Sequence, residues 1–455
     1  MLLISLDTLR ADRLEAYGSQ RPTSPSLNAF ASRSVVFDDA RAQASQTAPS
    51  HASLFSSTSL AVHGVINVHG DTPRVHKLPS GVTTLAEVVS ERGWETAAFV
   101  SGGNLSQRMD LNRGFDTWDE RFENVTERSR AALSWMLKPG RGPFFTVLHT
   151  YQVHAPYLPP RELADRFVDP AYSGPLRERL DHYLALPEKA AWEAAVGPAY
   201  WEGLLDFTDE DVRFLSDLYD AEIAHLDESL RIVFETVMRG ELGHRLAIVI
   251  LSDHGEEFRD HGKYQHDQIF EEHLHVPLMI KLPPKLERSG WTGRVQTPVS
   301  LIDVAPTVLE VLGLSADGLP WQGRSLMPLL GPDREKHEGG ELSRPVFSQL
   351  VVEPGPQYHR SVVFNDWKYI RVWHENIDHT REWLFNLSND PGERRNLIDV
   401  DHSGAPKVLA TLRELLEQQG AQDADLARRV GDGITEALDA EGCQRLRALG
   451  YVGDC

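Results

Sequence analysis

Short apolar runs recur along the first part of this chain, each followed by a more polar stretch. The runs have the length and apolar continuity of buried strands, and they lie at 2–6, 35–37, 97–100, 144–149, 246–251 and 276–282. Segments with helical spacing of apolar residues alternate with them, at 84–92, from 208 onward and at 303–314. This alternation predicts an α/β sandwich in which a mixed, mostly parallel sheet lies between layers of helices.

The pattern changes after a polar, glycine-rich stretch at 331–345, which is typical of a domain boundary. Beyond it, three runs of strand character joined by polar turns predict a small antiparallel α+β subdomain with a helix at 407–418. Residues 160–207 are rich in Pro, Trp, Tyr and charge, and form either a lid or rim over a site or a solvated helical excursion. We therefore predict three regions: a main domain at 1–340, the subdomain at 341–422 and a C-terminal tail at 423–455.

Polar side chains follow the two most apolar runs, at the point where each predicted strand ends. Asp7 follows the first strand, and Asp253 and His254 come just after the strand at 246–251. Open α/β sheets bind ligands at the carboxyl ends of their strands, so we expect these side chains to converge. Two carboxylates and an imidazole suit a divalent metal ion. The alternative is that each aspartate is a helix cap or a loop hydrogen-bonding residue.

A third polar segment combines hydroxyls and one imidazole just before an apolar helical run, in Gln46-Thr47-Ala48-Pro49-Ser50-His51. Pro49 fits the first turn of a helix, where its missing N–H costs little. Thr47 would then lie near unpaired backbone donors and the positive end of the helix dipole. An ester anion could be held there while the Thr47 hydroxyl attacks it. The alternative is an ordinary N-cap.

Together these stretches resemble the motifs of a known family. Residues 47–54 resemble the sulfatase signature Cys/Ser-x-Pro-Ser-Arg-x-x-Leu, while 6–12 and 252–256 resemble the two metal-binding strand ends of that family. The chain therefore resembles the sulfatase-like branch of the alkaline phosphatase superfamily. That resemblance implies a metal-dependent ester hydrolase with the metal held by the following residues: Asp7, Thr47, Asp253 and His254. Thr8 stands where many sulfatases carry a second aspartate, which favours manganese or zinc over calcium, although calcium stays possible.

The chain also departs from the family at positions that carry charge or chemistry. No Cys or Ser occupies position 47, so Thr47 cannot become the formylglycine of sulfatases. His51 replaces the family's arginine, and His266 falls where sulfatases keep a lysine, so His266 could bind the anion or protonate the leaving oxygen, with Lys263 as its rival. His154 resembles the histidine of the family's His-x-Pro-x-Pro loop, which contacts the ester anion. The two exchanged histidines could instead indicate a second metal, to which four more histidines could contribute: His63, His69, His273 and His275.

Charge and composition restrict the partners of the protein. The net charge of −21 argues against nonspecific nucleic-acid or anionic-membrane binding, and no run approaches the ~18 apolar residues of a membrane span. Met1 leads straight into the first strand without a visible signal peptide, so we expect a cytoplasmic protein, or an exported one if the start is incomplete. Cys443 and Cys455 could pair or stay reduced. The acidic tail could dock on the body or on another subunit of a homo-oligomer.

These features predict hydrolysis of phosphoric or sulfuric esters of small molecules or head groups, with phosphoesters preferred. A Thr47 adduct cannot collapse to an aldehyde, so water must cleave it at phosphorus or sulfur, and a metal assists that step better for a phosphoryl group. The alternatives are a true sulfuric ester hydrolase, a head-group transferase, or a catalytically silent binding protein on the same scaffold.

Overall fold

The computed structural model describes most of the chain. The described residues are 1–68, 74–121, 123–187, 190–191, 195, 206–239, 241–284, 286, 292–331, 344–353, 356–375, 377, 379–398, 405–438, 440, 443 and 446. Strand-forming residues among them are β1 Leu2–Leu6, β2 Val35–Arg41, β3 Arg74–His76, β4 Glu95–Phe99, β5 Thr117–Asp119, β6 Phe144–Thr150, β7 Ile248–Leu251, β8 Glu257–Phe258, β9 Tyr264–Gln265, β10 His275–Lys281, β11 Gly293–Val295, β12 Val299–Ser300, β13 Val346–Val352, β14 Gln357–Phe364, β15 Trp367–His374, β16 Thr380–Asn386 and β17 Thr435–Ala437.

Helices occupy the segments between many of these strands. The α-helices are α1 Pro25–Ala31, α2 Thr47–Ser56, α3 Leu60–His63, α4 Leu85–Glu91, α5 Val125–Met136, α6 Arg161–Phe167, α7 Pro175–Leu184, α8 Asp209–Arg239, α9 Glu271–Leu274, α10 Val304–Val311 and α11 Ala405–Val430. Short 3-10 helices cover Ala11–Arg13, Glu15–Tyr17, Gln107–Met109, Glu241–His244, Leu301–Asp303 and Met327–Leu329. The helices predicted at 84–92, from 208 and at 303–314 correspond to α4, α8 and α10.

The main sheet has the strand order β11-β2-β10-β7-β1-β6-β4-β5, with β12 also paired to β2. β1 lies parallel to both β6 and β7, and β4 lies parallel to β5 and β6. β10 runs antiparallel to both β2 and β7, which makes the sheet mixed. The predicted α/β sandwich with a mixed, mostly parallel sheet is therefore confirmed.

Alternate residues of β1 belong to different apolar cores, because successive side chains of a strand point to opposite faces. Leu3 packs in one core together with α2, whereas Leu2 and Ile4 pack in the other together with α8. All five residues of β1 are buried. Covering both faces leaves only the strand ends for polar chemistry, so the end of β1 is a natural position for a site.

A second, four-stranded antiparallel sheet has the order β13-β14-β15-β16 and packs against α11. The three strands predicted here lie within β14, β15 and β16, while the sequence pattern did not reveal β13. The buried Lys368 of β15 joins this sheet to the main domain through Glu271, at 2.9 Å, and also pairs with Glu393 of its own subdomain, at 3.0 Å. Of the predicted boundary at 331–345, residues 332–343 lie outside the described part of the chain.

The last predicted boundary, between 422 and 423, lies within α11, and the division of the chain into three regions stays a prediction. The helix predicted at 407–418 extends from Ala405 to Val430. Leu426 and Val430 bury the apolar face of the extension, so the acidic residues on its other face do not end the helix. Beyond it, β17 pairs antiparallel with β3, so this part of the tail docks on the body of the same chain. Cys443 is buried, and Cys455 lies outside the described residues. Cellular location and homo-oligomerisation stay predictions.

The segment predicted as a lid or rim at 160–207 is described in part. α6 and α7 pack against the long helix α8, where Tyr172 stacks on Phe214 with ring centroids 4.3 Å apart. Residues 188–189, 192–194 and 196–205 lie outside the described part, so a lid or rim function stays a prediction. Among the helices that are described, none is long and apolar enough to cross a membrane.

Candidate active site

The carboxyl ends of the parallel neighbours β1 and β7 bring three predicted metal ligands together. Asp7 directly follows β1, and Asp253 and His254 follow β7 after one residue. All three are buried, and one ligand atom from each lies within 4.8 Å of the others. Gly255 comes next and a Cβ there would overlap the backbone oxygen of Glu272, so this close approach requires glycine.

Thr47 is the first residue of α2, and its hydroxyl faces this cluster. Its Oγ1 lies 3.2 Å from Asp7 Oδ2 and 3.5 Å from His254 Nε2. Gln46 occupies the N-cap position without a capping side-chain bond, so the N-cap alternative for Thr47 does not hold. Ser50, one turn further along, donates to the Asp253 backbone oxygen at 2.7 Å and ties α2 to the end of β7.

The hydrogen bonds around the cluster leave lone pairs available for a metal. His254 Nδ1 lies 3.0 Å from the Gly255 carbonyl and must donate to it, so Nε2 carries the lone pair beside Thr47. Asp7 Oδ1 and Asp253 Oδ2 are buried without a hydrogen-bond partner. A nitrogen and several oxygens with open lone pairs fit a divalent cation.

The pKa shifts of the three predicted metal ligands also favour a bound cation. Burial raises the pKa of Asp7 to about 7, and burial together with the neighbouring Asp7 raises the pKa of Asp253 well above its usual range. Burial also lowers the pKa of His254 well below its usual value. Two buried carboxylates beside a neutral imidazole are costly without a cation, and a bound metal would favour the deprotonated forms.

His51 lies beside Thr47 but is not the cation that its place in the motif suggested. Its Nδ1 donates to the Thr47 backbone oxygen at 2.8 Å, and its Nε2 lies 2.9 Å from the Ser5 hydroxyl. Burial lowers the pKa of His51 to about 3, so the ring is neutral at ordinary pH. His51 therefore stands in the place of the family's arginine as an uncharged ring, because full burial removes its charge. Its contact with the substrate anion stays a prediction.

His266 and His154 lie next to the cluster. The His266 ring centroid is 4.6 Å from that of His254 and 5.3 Å from that of His154. Burial lowers the pKa of His154 to about 4. Burial has the same tendency at His266, but the Glu256 carboxylate, 3.2 Å from Nδ1, prevails and raises its pKa to about 9. His266 is therefore protonated at neutral pH.

Lys263, the rival of His266, is placed differently. Its side chain is exposed in the turn between β8 and β9, and its backbone N–H donates to Glu257 at 2.8 Å. His266 is buried next to His254. Of the two candidates, the structure thus places His266, and not Lys263, beside the predicted metal ligands.

Two site residues were not predicted, namely His149 and Glu256. His149 lies in β6, and its Nε2 is 3.3 Å from Asp7 Oδ2, while its Nδ1 is buried without a hydrogen-bond partner. Burial lowers the pKa of His149 to about 3. The strand-end rule that identified Asp7 applies equally to His149, since the predicted strand ended on it. Glu256 was part of a recognised motif but had no assigned role.

A second metal was predicted as a possibility, and two further His/Glu groups occur among the described residues. Glu257, Glu272 and His273 form one, while Glu272 also joins His261 and Glu393 in the other. Protein donors already occupy these carboxylates: Glu272 bonds to His261 at 2.7 Å and Glu257 accepts from two backbone N–H groups. His63 and His275 bond elsewhere, and His69 lies outside the described residues. The second metal stays a prediction.

Comparison with known families agrees with this arrangement. A family model described as Sulfatase matches residues 1–314, and one described as N-sulphoglucosamine sulphohydrolase, C-terminal, matches residues 259–422. The first match alone covers more than half of the chain. The protein therefore belongs to the sulfatase family of metal-dependent ester hydrolases.

Two curated relatives show how the similarity is distributed. The choline-sulfatase of Rhizobium meliloti (strain 1021) is 30% identical over 218 residues, which make up 48% of this chain and 39% of that protein. The matched segment thus spans well under half of that relative's length. A Delta 4,5-hexuronate-2-O-sulfatase of Bacteroides thetaiotaomicron is 23% identical over 451 residues, covering 93% of this chain and 89% of that protein.

Solved structures share the whole fold at low sequence identity. One, bound to its substrate D-glucosamine-2-N,6-O-disulfate, has a TM-score of 0.72 at 19% identity and covers 93% of this chain and 98% of its own. The phosphonate monoester hydrolase of Agrobacterium radiobacter has a TM-score of 0.69 at 20% identity, covering 92% of this chain and 95% of its own. The fold is therefore shared with a protein that takes a sulfated glucosamine as its substrate and with a phosphonate monoester hydrolase.

Proposed function

We propose that this protein hydrolyses phosphoric or sulfuric esters of small molecules or head groups, prefers phosphoesters, and uses Thr47 as its nucleophile. One observation carries the proposal. The Thr47 hydroxyl lies at the start of α2, 3.2 Å from Asp7 Oδ2, within the buried cluster in which Asp7 Oδ1 and Asp253 Oδ2 have no hydrogen-bond partner. A hydroxyl in that position has both a proton acceptor and a place for an anionic substrate beside it.

Different residues of the site contribute to different steps of the proposed reaction. Asp7 accepts the hydroxyl proton as Thr47 attacks, and His266 gives a proton to the leaving oxygen. Asp7, Asp253 and His254 would hold a divalent cation next to Thr47, with manganese or zinc favoured and calcium possible. When bound, such a cation supplies positive charge that offsets the charge developing on the ester oxygens.

The preference for phosphoesters follows from the identity of residue 47. A threonine adduct has one oxygen on its carbon, so its release requires attack by water at the phosphorus or sulfur centre. A sulfuryl adduct carries less charge than a phosphoryl adduct, so it gains less from a cationic site. The fold shared with a phosphonate monoester hydrolase makes this substrate class a natural candidate.

Three alternatives to this proposal differ in how well the observations support them. The names of the two relatives described above favour a true sulfuric ester hydrolase, because both are sulfatases. A head-group transferase would share the first half of the reaction and differ only in the acceptor alcohol. A silent binding protein fits less well, because Asp7 and Asp253 each have a buried carboxylate oxygen without a hydrogen-bond partner. Such oxygens are costly to bury unless a cation binds them.

The test compares kcat/KM for matched aryl phosphate monoesters, phosphate diesters, phosphonates and sulfates in the presence of manganese or zinc. We expect a phosphoryl ester to be preferred, and Thr47→Ala to lose activity while Thr47→Ser, the matched control, retains most of it. A sulfate ester preferred by tenfold or more, about 1.4 kcal/mol of transition-state stabilisation, would replace the proposal with the sulfatase alternative. Full activity in Thr47→Ala would exclude Thr47 as the nucleophile.

A further inference from the structure

A buried carboxylate lies just behind the metal-binding residues and outside their cluster. Glu256 is buried, and its two oxygens have different partners. Oε1 is 3.2 Å from His266 Nδ1, and Oε2 accepts from the Tyr157 hydroxyl at 2.9 Å. We propose that Glu256 is a positioning residue that holds His266 as the general acid for the leaving-group oxygen. This inference rests on the proposed ester hydrolysis.

The hydrogen bond to Glu256 decides which nitrogen of His266 faces the reaction. A carboxylate can only accept, so Nδ1 donates to Glu256 and the second proton of the imidazolium is on Nε2. The ring itself lies between His254 and His154, at centroid distances of 4.6 and 5.3 Å. Nε2 is therefore the nitrogen left for a substrate beside the cluster.

Glu256 also supplies the charge that an imidazole needs in a buried position. Both side chains are buried, and Glu256 Oε1 lies within hydrogen-bond distance of His266 Nδ1. A carboxylate that accepts from one imidazole nitrogen fixes the orientation of the ring and favours the form in which the other nitrogen also carries a proton. The pair thus places an acid at the position where the family has a lysine.

The pair is fixed to the strand end that carries Asp7. The Glu256 backbone oxygen accepts from Arg10 at 3.1 Å, and the Tyr157 ring packs edge-on against Tyr219 with centroids 5.7 Å apart. Tyr219 in turn donates to the Thr8 backbone oxygen at 2.7 Å. Rigid contacts of this kind hold the acid at a constant distance from Thr47, as proton transfer requires.

The protons balance over the two half-reactions. When the bond from phosphorus or sulfur to the leaving oxygen breaks, its electron pair stays on that oxygen, which takes the Nε2 proton of His266. The Thr47 proton meanwhile moves to Asp7. In the second half, water attacks the Thr47 adduct and gives one proton to Nε2, and Thr47 regains its proton from Asp7 as the adduct bond breaks.

The test varies the leaving group, because general acid catalysis matters only when the leaving oxygen is basic. One ester series with a common acid part would carry a 4-nitrophenyl group at one end and a simple alkyl group at the other, assayed with manganese. Glu256→Gln keeps the shape of the side chain and removes its charge. We expect kcat/KM to fall about 100-fold or more for the alkyl ester, but by less than about threefold for the 4-nitrophenyl ester.

The matched control is Glu257→Gln, the adjacent buried carboxylate, which bonds to backbone N–H groups and not to His266. Any loss it causes should be equal for both leaving groups. Equal losses in Glu256→Gln would overturn the positioning function, and this outcome differs from failure of the proposed function, which Thr47→Ala reports. If Glu256→Gln does not fold, Tyr157→Phe decides: a selective loss for the alkyl ester supports the inference, and a uniform effect refutes it.

Discussion

Metal-free protein should become less stable as the pH rises, because Asp7 and Asp253 are buried side by side. Burial raises the pKa of Asp7 from 3.8 to about 7. Between these two values the folded chain still holds a proton that the unfolded chain has released. The unfolded state therefore binds fewer protons, and the free energy of unfolding falls with increasing pH across this interval. Asp253, whose pKa is also raised, acts in the same direction.

The size of the effect follows from the interval. Each pH unit contributes about 1.4 kcal/mol, so the interval from 3.8 to about 7 corresponds to about 4 kcal/mol for Asp7. About 3 kcal/mol of this falls between pH 5 and pH 7. Asp7→Asn has no proton to lose there, and its amide oxygen can still accept from Thr47. The variant should therefore have the flatter pH profile.

The assay is urea unfolding of chelator-treated protein at several pH values from 5 to 8. Comparing the wild type with Asp7→Asn cancels the contribution of titrating groups that do not interact with Asp7. Asp253, whose pKa Asp7 helps to raise, should add to the flattening of the variant's profile. Excess manganese or zinc should restore the stability of the wild type at pH 8 and leave the variant nearly unchanged, because metal binding stabilises the folded state. If the wild-type and variant profiles run parallel within about 0.5 kcal/mol, burial does not raise the pKa of Asp7, and the prediction is refuted.

Two further outcomes concern contacts at the site and between the two sheets. His149→Gln removes the imidazole beside Asp7 and should lower metal affinity about 10- to 100-fold; titration of metal into chelator-treated protein measures this, and an unchanged affinity would contradict it. Lys368→Met leaves the buried Glu393 without its cation, while Glu271 keeps Arg41, and should destabilise the fold by about 3–5 kcal/mol in urea unfolding. The exposed Arg428→Met is its control and should cost less than about 1 kcal/mol.

The sequence predicted the parts of the site that depend on chain direction alone. Buried strands end at one edge of a parallel sheet, so the positions of Asp7 and Asp253 followed from the apolar runs before them. The position of Thr47 followed from the helix signal of Pro49. These inferences need no knowledge of which strands are neighbours, only that their carboxyl ends meet.

The sequence alone could not predict the charge states of the site histidines, because burial and hydrogen bonding determine them. His51 and His266 both stand where the family has cations, yet burial makes one neutral while a carboxylate keeps the other protonated. The strand-end rule also applies to His149, but it does not show which residue His149 contacts. Its contact with Asp7 depends on the pairing of β6 with β1, in which Ser5 lies opposite His149. Local sequence patterns do not reveal the order of strands in a sheet.

The charges around Thr47 also separate the binding of the anion from the protonation of the leaving group. Burial leaves His51 and His154 neutral, so neither offers the full charge of an arginine or a lysine. His266 is protonated, but the adjacent Glu256 already balances its charge. Attraction for the substrate anion would therefore come from a cation held by the Asp7 cluster, while His266 and Glu256 remain available for proton transfer. A chain with an overall charge of −21 can in this way attract an anion locally without a cationic surface.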